Sequence, residues 1–173
     1  MQVDFATKEL TVKLVYYGPA LSGKTTNLRA IHWLGTSKTR GELMTLETKN
    51  DRTLFFDMLP ITIDSQSGLK VRIKLFTVPG QVMHDATRRL VLQAADGVAF
   101  IADSRVSETR ANNESFANLK HNLKENGIDW DDIAVVLSLL RAVVLESVAE
   151  LVRRPGEQPA LEGMVPVVRE LLR

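Results

Sequence analysis

The stretch Gly18-Pro19-Ala20-Leu21-Ser22-Gly23-Lys24-Thr25-Thr26 constrains the fold of this chain more than any other. It satisfies the pattern G-x-x-x-x-G-K-[ST] and follows an apolar run, Val12 to Tyr17, that reads as a buried strand. The residues from Lys24 to Leu34 read as the helix into which it opens. A turn closing tightly from strand to helix can aim several backbone N–H groups inward. Glycines at Gly18 and Gly23 let the main chain approach an anion with no Cβ in the way. The helix start adds its positive end. Lys24 supplies a full charge, and the Thr25 hydroxyl is a hard oxygen ligand for the Mg²⁺ that usually bridges nucleotide phosphates. Thr26 reads as structural. The first ligand this pattern predicts is a nucleotide phosphate.

The remaining composition narrows the class. A chain of 173 residues, 45% hydrophobic and 25% charged, suits one domain spanning the whole sequence. Its 22 Lys and Arg balance 21 Asp and Glu, so global electrostatics do not argue for nucleic acid, and partner choice falls to local patches. The absence of cysteine rules out disulfides and thiolate metal sites and fits a cytoplasmic setting. No apolar run approaches the roughly 18 residues of a membrane span. Met1 to Thr11 lacks the form of a signal peptide, and Gln2 stands where myristoylation needs Gly, so any membrane contact is expected to be peripheral. His32, His84 and His121 have no metal-ligand spacing.

Strand-like segments recur at Val12 to Tyr17, Leu54 to Leu59, Val71 to Val78, Gly97 to Asp103, Ile133 to Leu139 and Val143 to Glu146. Helical patterns lie between several of them: Lys24 to Leu34, Arg88 to Ala94 with Leu90 and Leu92 inward, and Ser107 to Asn126 with Phe116, Leu119 and Leu123. Gly127 stops the last of these. Alternation of this kind predicts an α/β fold, a mostly parallel central sheet with helices on both faces, binding its ligand at the carboxyl ends of the strands. Thr53 to Asp64 and Lys70 to Thr77 are joined only by Ser65 to Leu69, too short for a crossover. One antiparallel strand is therefore expected, at the edge. In the tail, Pro155 to Pro159 reads as a turn and Leu161 to Leu172 as a helix packed on the sheet.

Two further loops can face the phosphates. Thr77-Val78-Pro79-Gly80-Gln81 follows a strand directly. There Gly80 can present its N–H to a terminal phosphate, and the Gln81 side chain can orient a water. The other, Gly35 to Thr53, is a long polar connection containing Thr36, Thr39, Thr45, Thr48, Arg52 and Thr53, and a loop of that length is usually functional or mobile. Apart from Thr53, its threonines read as solvated.

The phosphate loop, the long first loop, the edge hairpin and Pro79-Gly80-Gln81 together resemble a small Ras-like GTPase with P-loop NTPase fold. The spelling Tyr16-Tyr17-Gly18 through Asn27-Leu28, then Arg52-Thr53-Leu54-Phe55-Phe56-Asp57 and Thr77-Val78-Pro79-Gly80-Gln81, is similar to the MglA-type branch, bacterial GTPases of cell polarity and gliding motility. The likeness runs from about Phe5 to Ile133, with Ala102-Asp103-Ser104 also in register. It implies GTP/GDP and Mg²⁺ as cofactors, held by Gly18, Ala20, Leu21, Ser22, Gly23, Lys24, Thr25 and Thr26, with Thr53 and Gly80 at the terminal phosphate. Thr25 and Thr53 are the implied metal ligands, Arg52 the implied intrinsic arginine finger, and Gln81 the implied positioner of the attacking water. Thr77 stands where most Ras-like proteins carry a metal-linked Asp, and Asp57 is the candidate replacement; it also reads as a polar strand residue or turn former. The resemblance further implies slow hydrolysis stimulated by MglB, a roadblock-type dimer that moves the switches without adding chemistry of its own.

The resemblance breaks at the base. No Asn-Lys-x-Asp, the guanine-reading motif of Ras-like proteins, occurs in the sequence. After Ile133 to Leu139 the chain runs through Leu140-Arg141-Ala142 into Val143 to Ala149, which resembles the sixth strand and the base-side loop, with Ser147, Val148 and Ala149 implied at the nucleotide. Two parallel strands need a crossover of a dozen or more residues, and almost none is present. Three explanations stand: one continuous helix from Ile133 to Arg154, a nucleotide site without guanine selectivity, or a missing stretch between Leu139 and Val143. The flanks, still in family order, favour the missing stretch. The leading function is a GTP-hydrolysing switch. An ATP-using P-loop kinase or ATPase, and a non-hydrolysing docking module, remain as alternatives.

Overall fold

The computed structural model describes residues 1–36, 39–47, 55–64 and 68–140. Arg52, Thr53, Ser147, Val148, Ala149 and the strand, turn and helix expected beyond Leu140 lie outside the described residues.

Among the described residues seven strands and three α-helices follow one another as β1 (Gln2–Asp4), β2 (Glu9–Tyr17), α1 (Lys24–Leu34), β3 (Met44–Glu47), β4 (Phe55–Asp64), β5 (Lys70–Thr77), α2 (Asp85–Leu92), β6 (Gly97–Asp103), α3 (Thr109–Glu125) and β7 (Ala134–Leu140). They form one sheet ordered β3-β4-β5-β2-β6-β7, in which β5, β2, β6 and β7 run parallel. From β2 the chain goes to one side to reach β5, then crosses back to β6 on the other. The carboxyl end of β2 is thus the switch point where such sheets bind ligands.

Side-chain alternation divides the core into two layers. Val15 and Tyr17 of β2 join Val98, Phe100 and Ala102 of β6 beneath Val91 and Leu92 of α2 and Leu119 and Leu123 of α3. Leu14 and Tyr16, with Ala99 and Ile101, face the other way and pack with Leu28 of α1, Leu59 and Leu75. Strand β6 is buried along its whole length, as expected of a parallel strand covered on both faces. Leu28 is fully buried and contributes about 1.5–3 kcal/mol through its side chain.

Several sequence expectations need correction. The reversed strand is β4, antiparallel to β5 as the short link requires, but it is not the edge: β3 pairs outside it, Thr45 opposite Asp57. The Gly35 to Thr53 connection is therefore not simply a loop, and Arg40 also bridges Ile61 of β4. A second reversed strand, β1, pairs with Glu9 to Thr11 of β2 on the side where β6 takes up Leu14 to Tyr17. Between them Asp96 bonds Lys13 twice, its carboxylate accepting the Lys13 N–H at 2.8 Å and its own N–H donating to the Lys13 carbonyl at 2.9 Å.

In α2 the inward residues are Thr87, Arg88, Val91 and Leu92, whereas Leu90 is exposed. Residues two apart on a helix point to nearly opposite sides, so Leu90 and Leu92 cannot share a face. The continuous-helix explanation fails over Ala134–Leu140, which is a strand pairing parallel with β6 from Gly97↔Ala134 to Asp103↔Leu140. Gly127, at φ 69°, ends α3 as expected.

Candidate nucleotide site

The turn from β2 to α1 is built from residues with unusual backbone angles. Gly18 has φ 144°, Leu21 φ 61° and Gly23 φ 91°. Left-handed residues interspersed in a short turn produce concavities lined by N–H groups. Gly18 is compelled by space as well, because a Cβ there would lie 2.1 Å from the Ile101 carbonyl oxygen on β6. Helix α1 starts with no side-chain cap and no acidic residue in its first turn. Its positive end is thus left for an anion. Within the loop Ser22 is buried, while Ala20, Leu21 and Thr26 are exposed.

Lys24 is buried, and its Nζ donates to the carbonyls of Gly18 at 2.9 Å and Pro19 at 2.6 Å. Burial, reinforced by the Arg88 cation, pulls its pKa down from 10.5 to about 8. An incoming phosphate would reverse that shift, since a dianion favours the charged ammonium.

Beside the loop the Thr25 hydroxyl donates to Asp57 Oδ2 at 2.7 Å. Two more hydroxyls hold the same carboxylate: Thr45 Oγ1 at 3.0 Å and Thr77 Oγ1 at 3.3 Å, while the Asp57 N–H donates back to Thr77 Oγ1 at 3.0 Å. One carboxylate among hydroxyls, next to a phosphate cradle, is a donor set that suits a hard divalent cation. Among the described residues no group of three or more His, Asp or Glu gathers as a metal cluster.

The turn after β5 comes to rest on this loop. A Cβ on Gly80 would lie 2.3 Å from Ala20 Cα and 2.5 Å from Ala20 N, so only glycine fits that approach. Gln81 follows immediately and is exposed.

Lys24, Thr25, Asp57 and Gly80 are thus brought together around one loop. The sequence reading missed Thr45, placed among solvated threonines, because its contact with Asp57 comes from the pairing of β3 with β4, which no residue spacing announces. It also missed Arg88. A charged residue three and four positions before the buried Val91 and Leu92, and therefore on their face of the helix, was the available signal.

A glycine-bounded loop with a buried lysine, joining strand to helix at the switch point of a mostly parallel sheet, defines a P-loop nucleotide-binding protein. The chain is 47% identical to "Mutual gliding-motility protein MglA" of Myxococcus xanthus (strain DK1622) over 135 residues, 78% of this chain and 69% of that protein. No protein-family model matches it. The chain belongs to the MglA family of small Ras-like GTPases. As a member it is a GTP-hydrolysing switch and a guanine-nucleotide binder. Among the described residues no helix is long and apolar enough to cross a membrane.

Proposed function

We propose that this GTPase acts as a Mg²⁺-dependent GTP/GDP switch in cell polarity or gliding motility, working in the cytoplasm and driven through its cycle by an MglB-like roadblock dimer. The motility role is carried over from the name of the Myxococcus relative. The observation that carries the switch reading is Gly80 lying against the backbone of the phosphate loop. A loop in that position faces any third phosphate, so the triphosphate and diphosphate states differ at Gly80.

In this reading Gly18 to Thr26 cradle the phosphates and Lys24 neutralises them. Thr25 and Asp57, joined by Thr53, would hold Mg²⁺, which when bound would supply charge neutralisation. Water attacks in line, positioned by Gln81, and Arg52 neutralises the charge that builds on the transferring group. Catalysis is chiefly positioning, which fits control by a partner that moves the loops. We assign the whole chain to one domain lacking the stretch between Leu139 and Val143 that would carry the guanine-reading motif. Strand β7 supports the assignment, because it pairs parallel with β6 up to Leu140, in the place of the strand that such a motif follows in Ras-like relatives. An intact mass of 19.3 kDa for the native protein would sink it.

Identification of the nucleotide retained on purification, paired with hydrolysis rates for GTP and ATP, tests the function. Retained guanine nucleotide and faster GTP turnover are expected. Retained ATP with no response to GTP would reject the switch.

A further inference from the structure

Arg88 of α2 is one of the largest fully buried side chains of the described residues, and the nucleotide site as drawn above gives it no part. Its guanidinium is spread over three acceptors. Nε donates to the Pro79 carbonyl at 2.9 Å, Nη2 to the Gly80 carbonyl at 2.5 Å, and Nη1 to Asn118 Oδ1 on α3 at 2.7 Å. None of these acceptors is charged. The nearest compensation comes through amides: Asn118 and Asn122 donate to Asp85 Oδ1 at 2.7 and 2.8 Å. The Tyr17 hydroxyl completes the network, donating to Asn118 Oδ1 at 2.5 Å and receiving Asn122 at 3.1 Å. A buried cation fixed between the loop after β5 and helix α3 marks a position that the fold keeps rigid.

Two consecutive carbonyls of the loop after β5 are therefore pinned. In a trans peptide the C=O and the following N–H point in opposite directions. Holding the Pro79 carbonyl turns the Gly80 N–H away from Arg88, and holding the Gly80 carbonyl fixes the peptide on its other side. The same Gly80 is pressed against Ala20 of the phosphate loop. We infer that Arg88 is a positioning residue for the third phosphate: by gripping the Pro79 and Gly80 carbonyls it presents the Gly80 N–H to a terminal phosphate, and so sets the preference for triphosphate over diphosphate. This rests on the reading of Gly18 to Thr26 as a guanine-nucleotide site. A residue that merely supports the fold would affect both nucleotides alike, whereas Arg88 acts through a group that only the longer nucleotide reaches.

The test is a titration of the full chain, with Mg²⁺, against fluorescent GDP and a fluorescent non-hydrolysable GTP analogue. In Arg88→Met the ratio of the two affinities is expected to collapse roughly tenfold, the effect of one lost hydrogen bond to a charged group, with GDP affinity nearly unchanged. Asn118→Leu, which keeps the guanidinium but frees one of its ends, should lose part of that ratio and decides the matter if Arg88→Met does not fold. Equal losses for both nucleotides, or an unchanged ratio in both variants, would overturn the inference. A wild type that binds the two nucleotides equally would overturn it while leaving the site intact. A wild type that binds neither would remove the site reading and the inference with it.

Discussion

The two turns that meet at the candidate site are held in the same way by different cations. In the turn from β2 to α1, Lys24 takes the carbonyls of Gly18 and Pro19; in the turn from β5 to α2, Arg88 takes those of Pro79 and Gly80. Both cations are buried, at 6% and 2% exposure, so neither draws its stability from solvent. They differ in what surrounds them. The Lys24 ammonium is a compact charge on a flexible stem, whose hydrogen bonds among the described residues stay within its own loop, the Ser22 hydroxyl at 3.5 Å included. Arg88 is a planar fork tied to Asn118 on another helix, with Asp85 beyond it. Burial opposes ionisation of Asp85, but the hydrogen bonds from Asn122 and Asn118 and the charges of Arg88 and Arg89 outweigh it and keep its carboxyl below the usual range. One loop is braced by a group that can let go, the other by a group that cannot. The first is free to deliver its charge to a ligand, while the second keeps its loop aimed.

The comparison can be broken most sharply at Lys24. Lys24→Met should lower affinity for both GDP and GTP by about a hundredfold or more, since hydrogen bonds to charged groups are worth ~1.5–3 kcal/mol each. Isothermal titration would measure it, and a loss confined to GTP would show that Lys24 behaves as Arg88 is expected to. Gln81→Leu should reduce single-turnover GTP hydrolysis on the order of a hundredfold while leaving affinity in place, because its task is to orient water in the transition state. Loss of affinity instead would make Gln81 a ground-state contact.

The smallest effect is one of pH. The Lys24 pKa of about 8 in the free protein lies below the ordinary 10.5, so between those values the nucleotide-free fold binds fewer protons than the unfolded chain. Its stability should therefore rise with pH across that window. Nucleotide affinity should move the other way. Binding requires the ammonium, so affinity should fall above pH 8 by no more than about tenfold per unit. A thermal melt series with and without GDP reads both slopes.

Much of this site was legible in the sequence because backbone requirements leave residue signatures. Gly18, Gly23 and Gly80 stand where the structure forbids a Cβ or demands a left-handed turn, and Lys24 follows at the fixed spacing. Asp57, singled out through the resemblance as the candidate replacement for the carboxylate absent at Thr77, accepts a hydrogen bond from the Thr25 hydroxyl. What could not be read was whatever depends on pairing across the sheet. Thr45 reaches Asp57 because β3 registers against β4, a pairing between strands that no period along either strand reveals. Asn118 and Asn122 look like ordinary helix-surface amides until α3 is laid against α2. Arg52 and Thr53, expected to complete the first switch, lie outside the described residues.

The most direct measurement is an experimental structure of the full chain with Mg²⁺ and a non-hydrolysable GTP analogue. It should show Lys24 Nζ withdrawn from the Gly18 and Pro19 carbonyls onto phosphate oxygens, with Arg88 still bonded to Pro79, Gly80 and Asn118. A Lys24 left on its own loop, or an Arg88 that has released the second, would contradict the division of labour between the two cations.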